Sequence, residues 1–407
     1  SKVAQAAPRL KMAERAPMPR ARPRADRAAA EPRPHGRMAS AVPMLIAPAA
    51  AATPNEETER PTGPLAYAPA APPSESAIDT LKEALALARR GKIDAASERK
   101  AQIRDLVGQK LAEWTILRTA DDWLPFRRYA AFIEANPTWP SLGLLRRRAE
   151  GQLWHERADA GTVLAFFAKY EPLSAKGRLA FARALLAAGE RAEAQRQVRA
   201  AWREDALSED LEATVLELFG DLLSRADHEA RMNRRIYADD FGAAARAAKR
   251  LGGAYPAIVR ASEAVEKNAK NAGALLEAVP PEARREPAYL FSRARWLRRN
   301  DRVGEAAQVM LSMPRDPDSA QDSDEWWIER RILVRELLDA GNPQAAYRVA
   351  RDAVRPAKGT YRVDQLFTAG WVALRFLNDP NTALRHFAEM ARGTHNHHAL
   401  ARAGYWL

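Results

Sequence analysis

The run Trp371-Val372-Ala373-Leu374-Arg375-Phe376-Leu377-Asn378-Asp379-Pro380-Asn381-Thr382-Ala383-Leu384-Arg385-His386-Phe387-Ala388-Glu389-Met390 reads as two helices joined by one turn. Trp371, Leu374 and Phe376 carry apolar surface as far as Asn378-Asp379-Pro380-Asn381, where the helix breaks. Ala383, Leu384, Phe387, Ala388 and Met390 resume it at helical spacing. The same punctuation recurs upstream. Aligned on Gly189, Asp301, Gly341 and Asn378, the chain has Leu185, Leu297, Leu337 and Leu374 four residues before each turn, and Ala194, Ala306, Ala346 and Ala383 five residues after it. The leucine fills the space between paired helices, and the alanine lets the second helix approach closely. The last two steps are about 40 and 37 residues and the earlier gap is near three such steps, a period typical of helix-pair solenoids. The expected fold is all-α: a helical-hairpin repeat superhelix (an α-solenoid, horseshoe or ring-like) of roughly a dozen to twenty helices.

Toward the end, the second helix of this unit stops near Gly393, and another begins near Ala399 with no room to finish before Leu407. The expectation is that the sequence is part of a longer protein. Toward the beginning, Leu211 to Leu223 reads as one helix, and Ala226-Asp227-His228-Glu229 as the start of the next, continued by Phe241 to Leu251. Pro256, Pro280-Pro281 and Pro287 mark later breaks. Leu81, Ala84, Leu85 and Ala88 form a first helix closed by Gly91, and a second runs from about Ala95 to Thr115. Residues 1–76 read as a disordered basic Ala/Pro-rich tail. Prolines block helix there, and few large apolar residues offset the ordering entropy. The domain organisation is therefore a tail over 1–76 and an α-superhelical domain over 77–407.

Composition agrees with this reading. Across 407 residues, 47% are apolar and 29% charged, the balance of a soluble globular protein. The apolar share leans on alanine, and Arg and Glu are plentiful, which favours helix over strand. Cysteine is absent, so disulfides and thiolate metal sites are excluded. The formal charge of +12 favours encounter with polyanions such as nucleic acid, an anionic lipid surface or a carboxylate-rich polymer. No apolar run approaches the ~20 residues of a membrane-spanning helix.

Signals for chemistry are sparse. There is no Gly-x-Ser-x-Gly elbow, phosphate-binding glycine loop or His-Glu-x-x-His helix. No cofactor is expected, and no catalytic or metal-binding residue is assigned. His395-Asn396-His397-His398 is the best metal candidate, but its histidines are too close together to converge, and a helix-initiating loop explains them. Asp227 before His228 fits a helix cap, and Glu75-Ser76 has no apolar pocket to raise a carboxyl pKa. Glu325 and Glu329, beside Arg330 and Arg331, read as a solvated face. Trp326-Trp327 carries two readings. Adjacent helical residues point ~100° apart, so both rings could pack between repeats, or one could reach a groove and stack on a sugar as a glycan contact.

Several ordered motifs carry a resemblance. They are Trp114-Thr115-Ile116-Leu117-Arg118, Asn136-Pro137-Thr138-Trp139-Pro140, Asp227-His228 with Arg231, Arg295-Trp296-Leu297-Arg298-Arg299, Trp326-Trp327-Ile328-Glu329-Arg330, Ala369-Gly370-Trp371 and Arg402-Ala403-Gly404-Tyr405-Trp406-Leu407. In order and spacing over residues 77–407, the chain resembles the N-terminal superhelical domain of the soluble periplasmic lytic transglycosylases. The resemblance implies a periplasmic scaffold that engages peptidoglycan glycan strands, with other cell-wall enzymes as possible partners and neither nucleic acid nor a membrane span. It also implies a lysozyme-like domain after the superhelix. There one glutamate cleaves the MurNAc-GlcNAc bond and leaves a 1,6-anhydro-MurNAc end. That glutamate belongs to a Glu-Ser motif followed by a Gly-Leu-Met-Gln-type segment, and neither follows residue 77. The piece itself is expected to be inactive. The alternative is a stand-alone helical-repeat scaffold for protein partners. A nucleic-acid-binding repeat is the third reading, for which too few aromatics alternate with the basic residues.

Overall fold

The computed structural model describes residues 75–120, 124–313, 315–316 and 320–407. The tail expected over 1–76 lies outside the described residues except for Glu75 and Ser76, which begin the first helix. Among the described residues, every regular element is a helix. The first seven are α1 (Glu75–Arg89), α2 (Ile93–Ala101), α3 (Leu106–Thr119), α4 (Phe126–Ala135), α5 (Leu142–His155), α6 (Ala160–Phe167) and α7 (Ala175–Ala187). Next come α8 (Arg191–Glu204), α9 (Glu209–Phe219), α10 (Arg225–Tyr237), α11 (Phe241–Leu251), α12 (Tyr255–Glu266), α13 (Ala272–Glu277) and α14 (Pro287–Arg299). The last six are α15 (Val303–Ser312), α16 (Ser323–Asp339), α17 (Pro343–Arg351), α18 (Gly359–Phe376), α19 (Pro380–Arg392) and α20 (His397–Trp406). Principal contacts run between successive helices and between neighbouring hairpins, as in a superhelical repeat.

The turns explain the pattern. Gly189, Asp301, Gly341 and Asn378 all have positive φ, as do Gly91, Arg157, Asp239 and Asn268. At each of these positions except Asn378, the N–H of the next residue returns to the carbonyl four residues before the turn: Lys92 to Leu87, Ala158 to Leu153, Glu190 to Leu185, Asp240 to Arg235, Ala269 to Ala264, Arg302 to Leu297 and Asn342 to Leu337, at 2.8–3.2 Å. This is the Schellman closure of a helix, which requires one left-handed residue. Position +5 is small at every turn: Ala96, Thr162, Ala194, Ala244, Gly273, Ala306, Ala346 and Ala383. The three steps expected between Gly189 and Asp301 are therefore present, with turns at Asp239 and Asn268. Three readings are corrected. The helix expected over 95–115 is divided between α2 and α3, with Asp105 as the cap of α3. Phe241 to Leu251 does not continue α10 but forms its own helix after Asp239. The helix placed at Leu211–Leu223 ends as α9 at Phe219, followed by one 3₁₀ turn over Gly220–Leu222.

Gly370 and Gly177 are two of the glycines that mark close approaches. A Cβ on Gly370 in α18 would lie 2.7 Å from the ring of Phe387 in α19, itself fully buried. A Cβ on Gly177 in α7 would collide with the carboxylate of Glu150 in α5. Glu150 is buried and accepts from the Leu173 N–H (2.9 Å) and the Ser174 hydroxyl (2.5 Å), tying the loop before α7 to α5. Burial pushes its carboxyl pKa up, against those two donors. Gly370→Ala is expected to lower stability by about 1–3 kcal/mol through overpacking against Phe387. Gly151→Ala, in mid-α5 with open space around it, is expected to raise stability by about 0.5–1 kcal/mol. Parallel urea melts of the two variants check both signs.

Candidate anion-binding groove

The residues singled out by sequence are mostly structural. Trp326 is 2% exposed and Trp327 0%. The Trp326 indole packs against Phe291 (5.0 Å, edge-on) and Tyr237 (6.1 Å), and its N–H donates to the Ala320 carbonyl at 3.1 Å. Trp327 donates to Asp364 at 3.0 Å. Neither ring presents a face to a groove, so the glycan-contact expectation is corrected in favour of packing between repeats. The solvated-face reading of Glu329 is also corrected. Its carboxylate is buried and bridges Arg298 (2.5 Å) and Arg295 (3.2 Å) of α14, not its sequence neighbours. Burial pushes the Glu329 carboxyl up, but Arg295 and Arg298 outweigh it and hold it below the usual carboxylate range. Arg330 is buried too, and donates to the carbonyls of Val349 (2.9 Å) and Met310 (2.7 Å) at the ends of α17 and α15. Burial lowers its pKa to about 10, against the attraction of Asp352. Arg331 reaches Asp364 at 3.4 Å, and Glu325 sits in the first turn of α16.

The other candidates follow suit. Asp227 is buried, accepts from the Ser224 N–H and hydroxyl (both 2.7 Å) as a helix cap, and pairs with Arg199 (2.8 Å) and Arg203 (2.5 Å). His228 packs edge-on against Trp202, and burial, aided by Arg250, holds its imidazole below the usual range. Asn396 caps α20 by accepting from the His398 and Ala399 N–H groups, leaving His395, His397 and His398 exposed in the helix-initiating loop. Among the described residues no group of histidines and carboxylates is placed to hold a metal. Glu75 is exposed in the first turn of α1. The Asn136–Pro140 motif is a staple. Trp114 donates to the Pro140 carbonyl at 2.8 Å, and Trp139 stands edge-on to Phe132.

A site that the sequence did not announce lies between α17, α18 and α19. A cavity of about 310 Å3 is lined by Arg351, Arg355, Arg362, Gln365, His386 and Glu389 over an apolar floor that includes Leu366 and Met390. The loop after α17 shapes it. The Ala357 N–H donates to Ser323 (3.1 Å) and the Lys358 N–H to Asp324 (3.0 Å), which fixes the loop to the start of α16. From α18, Gln365 donates to the Ala353 carbonyl (3.3 Å) and Arg362 to the Ala357 carbonyl (2.9 Å). Arg351 is neutralised by Asp352 at 2.7 Å. Arg355 is exposed and, among the described residues, makes no hydrogen bond or ion pair. The Arg362 Nε is buried without a partner. His386 bonds the Tyr347 hydroxyl through Nε2 at 3.0 Å. Burial, opposed by Glu389 and aided by Arg385 and Arg351, holds its imidazole below the usual range. Unused guanidinium donors on a concave, part-apolar wall suit a carboxylate or another small anion.

No family model and no curated protein matches the chain. Among solved structures it is similar to a 70-kDa soluble lytic transglycosylase in complex with bulgecin A, at 14% identity and a TM-score of 0.41, over 78% of this chain and 56% of that one. It is similar to the 70-kDa soluble lytic transglycosylase of Escherichia coli at 14% identity and a TM-score of 0.35, over 79% of this chain and 74% of that one. Yeast Tom70 is similar at 12% identity and a TM-score of 0.34, over 81% of each chain. The chain spans 56% of the length of the first of these. No residue role is carried across from any of them.

Glu329→Ala is expected to cost about 1.5–3 kcal/mol at neutral pH, because it removes the buried carboxylate shared by Arg295 and Arg298, which keep only Glu266 and Glu336. A carboxyl whose folded pKa is depressed contributes stability that is full above its unfolded value, about 4.3, and is lost as pH falls through the folded value. The difference between the parent and the variant should therefore narrow below that pH, as followed by urea melts at a series of pH values.

Proposed function

We propose that residues 77–407 are the superhelical, glycan-engaging scaffold region of a peptidoglycan lytic transglycosylase. In this reading the parent enzyme works in the periplasm and cleaves the MurNAc-GlcNAc bond to leave 1,6-anhydro-MurNAc ends. Chemistry belongs to a lysozyme-like domain, and this region holds the strand. The ordered motifs support the family. The observation that carries the binding role is the groove lined by Arg351, Arg355 and Arg362, in which the exposed, unpaired Arg355 suits the carboxylates of murein.

The second reading, a helical-repeat scaffold for protein partners, has its own observation. Leu106 and Val107 stand 72% and 65% exposed, side by side at the start of α3. Sedimentation with purified sacculi separates the two. The scaffold reading expects the chain to co-sediment at low ionic strength, to be released as salt shortens the screening length toward ~3 Å at 1 M, and to release no anhydro-muropeptides. Failure to co-sediment at low salt overturns it.

A further inference from the structure

The groove holds a feature that a site for a plain anion would not need. Glu389 of α19 lines the same cavity as Arg355 and is exposed. Among the described residues, its carboxylate makes no ion pair with any guanidinium of the cavity. One free cation and one free anion thus stand in a single concave site without neutralising each other. A ligand carrying only negative charge would leave Glu389 unmatched, and a neutral sugar would have no use for either charge. The floor between them includes Val363, Leu366 and Met390, which suits short aliphatic side chains. The volume of about 310 Å3 is at the small end of ligand sites, which run from about 300 to 1,000 Å3.

The geometry points to a zwitterionic peptide end as the ligand of this groove, with a terminal carboxylate on Arg355 and an ammonium on Glu389. Set on the reading of the chain as a murein scaffold, on which the biological source of the ligand rests, this makes the stem peptide rather than the sugar backbone what the groove recognises. The preorganisation is in place. Arg362 is fixed by its bond to the Ala357 carbonyl, and the loop carrying Arg355 is pinned to α16 through Ser323 and Asp324.

The test is calorimetric titration of the chain with the N-acetylated tetrapeptide acetyl-Ala-γ-D-Glu-Lys-D-Ala, whose one ammonium is the lysine Nζ, alongside its C-terminal amide and its Nζ-acetyl-lysine form. The free tetrapeptide should bind best, and blocking either end should weaken it about tenfold, the loss of one charge-assisted contact. Arg355→Ala should weaken the free peptide to the level of the amide and leave the amide unchanged. Glu389→Gln should do the same with respect to the Nζ-acetyl-lysine form. Both residues are exposed, so both variants are expected to fold, with the circular-dichroism melt as the control. Absence of tetrapeptide binding, or binding indifferent to the blocked ends or to the two variants, overturns the inference. Sacculi stripped of peptide by an amidase distinguish the two levels. Co-sedimentation with stripped glycan and no affinity for tetrapeptide would sink the groove assignment and leave the scaffold reading standing. Tetrapeptide binding without retention on intact sacculi would do the reverse.

Discussion

The interaction on which the rest of the array depends is an arginine guanidinium donating to the last carbonyls of a neighbouring helix. A helix leaves its final four carbonyls without internal partners, and they carry the negative end of its dipole. In a repeat of short helices such ends are numerous, and many are buried between hairpins. Arg148 of α5 donates to Leu117 and Ala120 at the end of α3, and Arg183 of α7 to Leu153 at the end of α5. Arg231 of α10 donates to Trp202 and Asp205, and Arg235 to Glu204, all around the end of α8. Arg225 reaches Leu251, Arg299 reaches Val265, and Arg330 closes two helices at once. A guanidinium can do this because its five donors lie in a rigid fork and its charge is weakly hydrated. Lysine offers neither property.

Burying so many cations requires counter-charge, and that requirement places the acids. Glu212 sits between Arg231 and Arg246, Asp227 between Arg199 and Arg203, and Glu329 between Arg295 and Arg298. Hairpins are thus joined by alternating carboxylates and guanidiniums as well as by apolar surface. This changes what the formal charge of +12 means. Much of the arginine content is committed inside the array to carbonyls and acids, so overall basicity is a poor guide to a ligand. Only arginines that escape the commitment speak to binding.

The repeat was legible because its turns impose local rules. A left-handed residue, an apolar residue at the Schellman acceptor and a small residue five positions on can be read without coordinates. Three turns escaped: Asp239 and Asn268 have Arg235 and Ala264 where leucine was sought, and Arg157 keeps Leu153 but has Thr162 where alanine was sought. At the first two Ala244 and Gly273 still mark the close approach. The motifs that carry the family resemblance proved to be the stabilising clusters themselves: Arg295, Arg298 and Glu329 form one of them, Asp227 joins a second, and Gly370 makes room for Phe387. Partnership across hairpins was not legible. Glu329 looked solvated because its partners lie 31 and 34 residues away, beyond any helical spacing. For the same reason Trp326 and Trp327 could not be assigned to core or groove, and the groove itself, gathered from three helices and a loop, left no motif at all.

The groove is where the arginine rule is left incomplete. Several buried guanidiniums cross to another hairpin and find either a helix end or an acid. Arg362 instead bonds the carbonyls of Ala357 and Pro356, a few residues before it in the same chain segment, and keeps an unpaired Nε. Arg355, on the loop so fixed, makes no hydrogen bond or ion pair among the described residues. Pro356 and Val354 are buried, which anchors the loop through its apolar residues and leaves its charge unused. A donor held in place but without an acceptor loses little further freedom when an acceptor arrives, which is the thermodynamic definition of a preorganised site. The capacity to bind therefore comes from the same residue type and the same geometry as the fold's stability. The difference, on the proposed reading, is that in this groove the acceptor is supplied by a ligand.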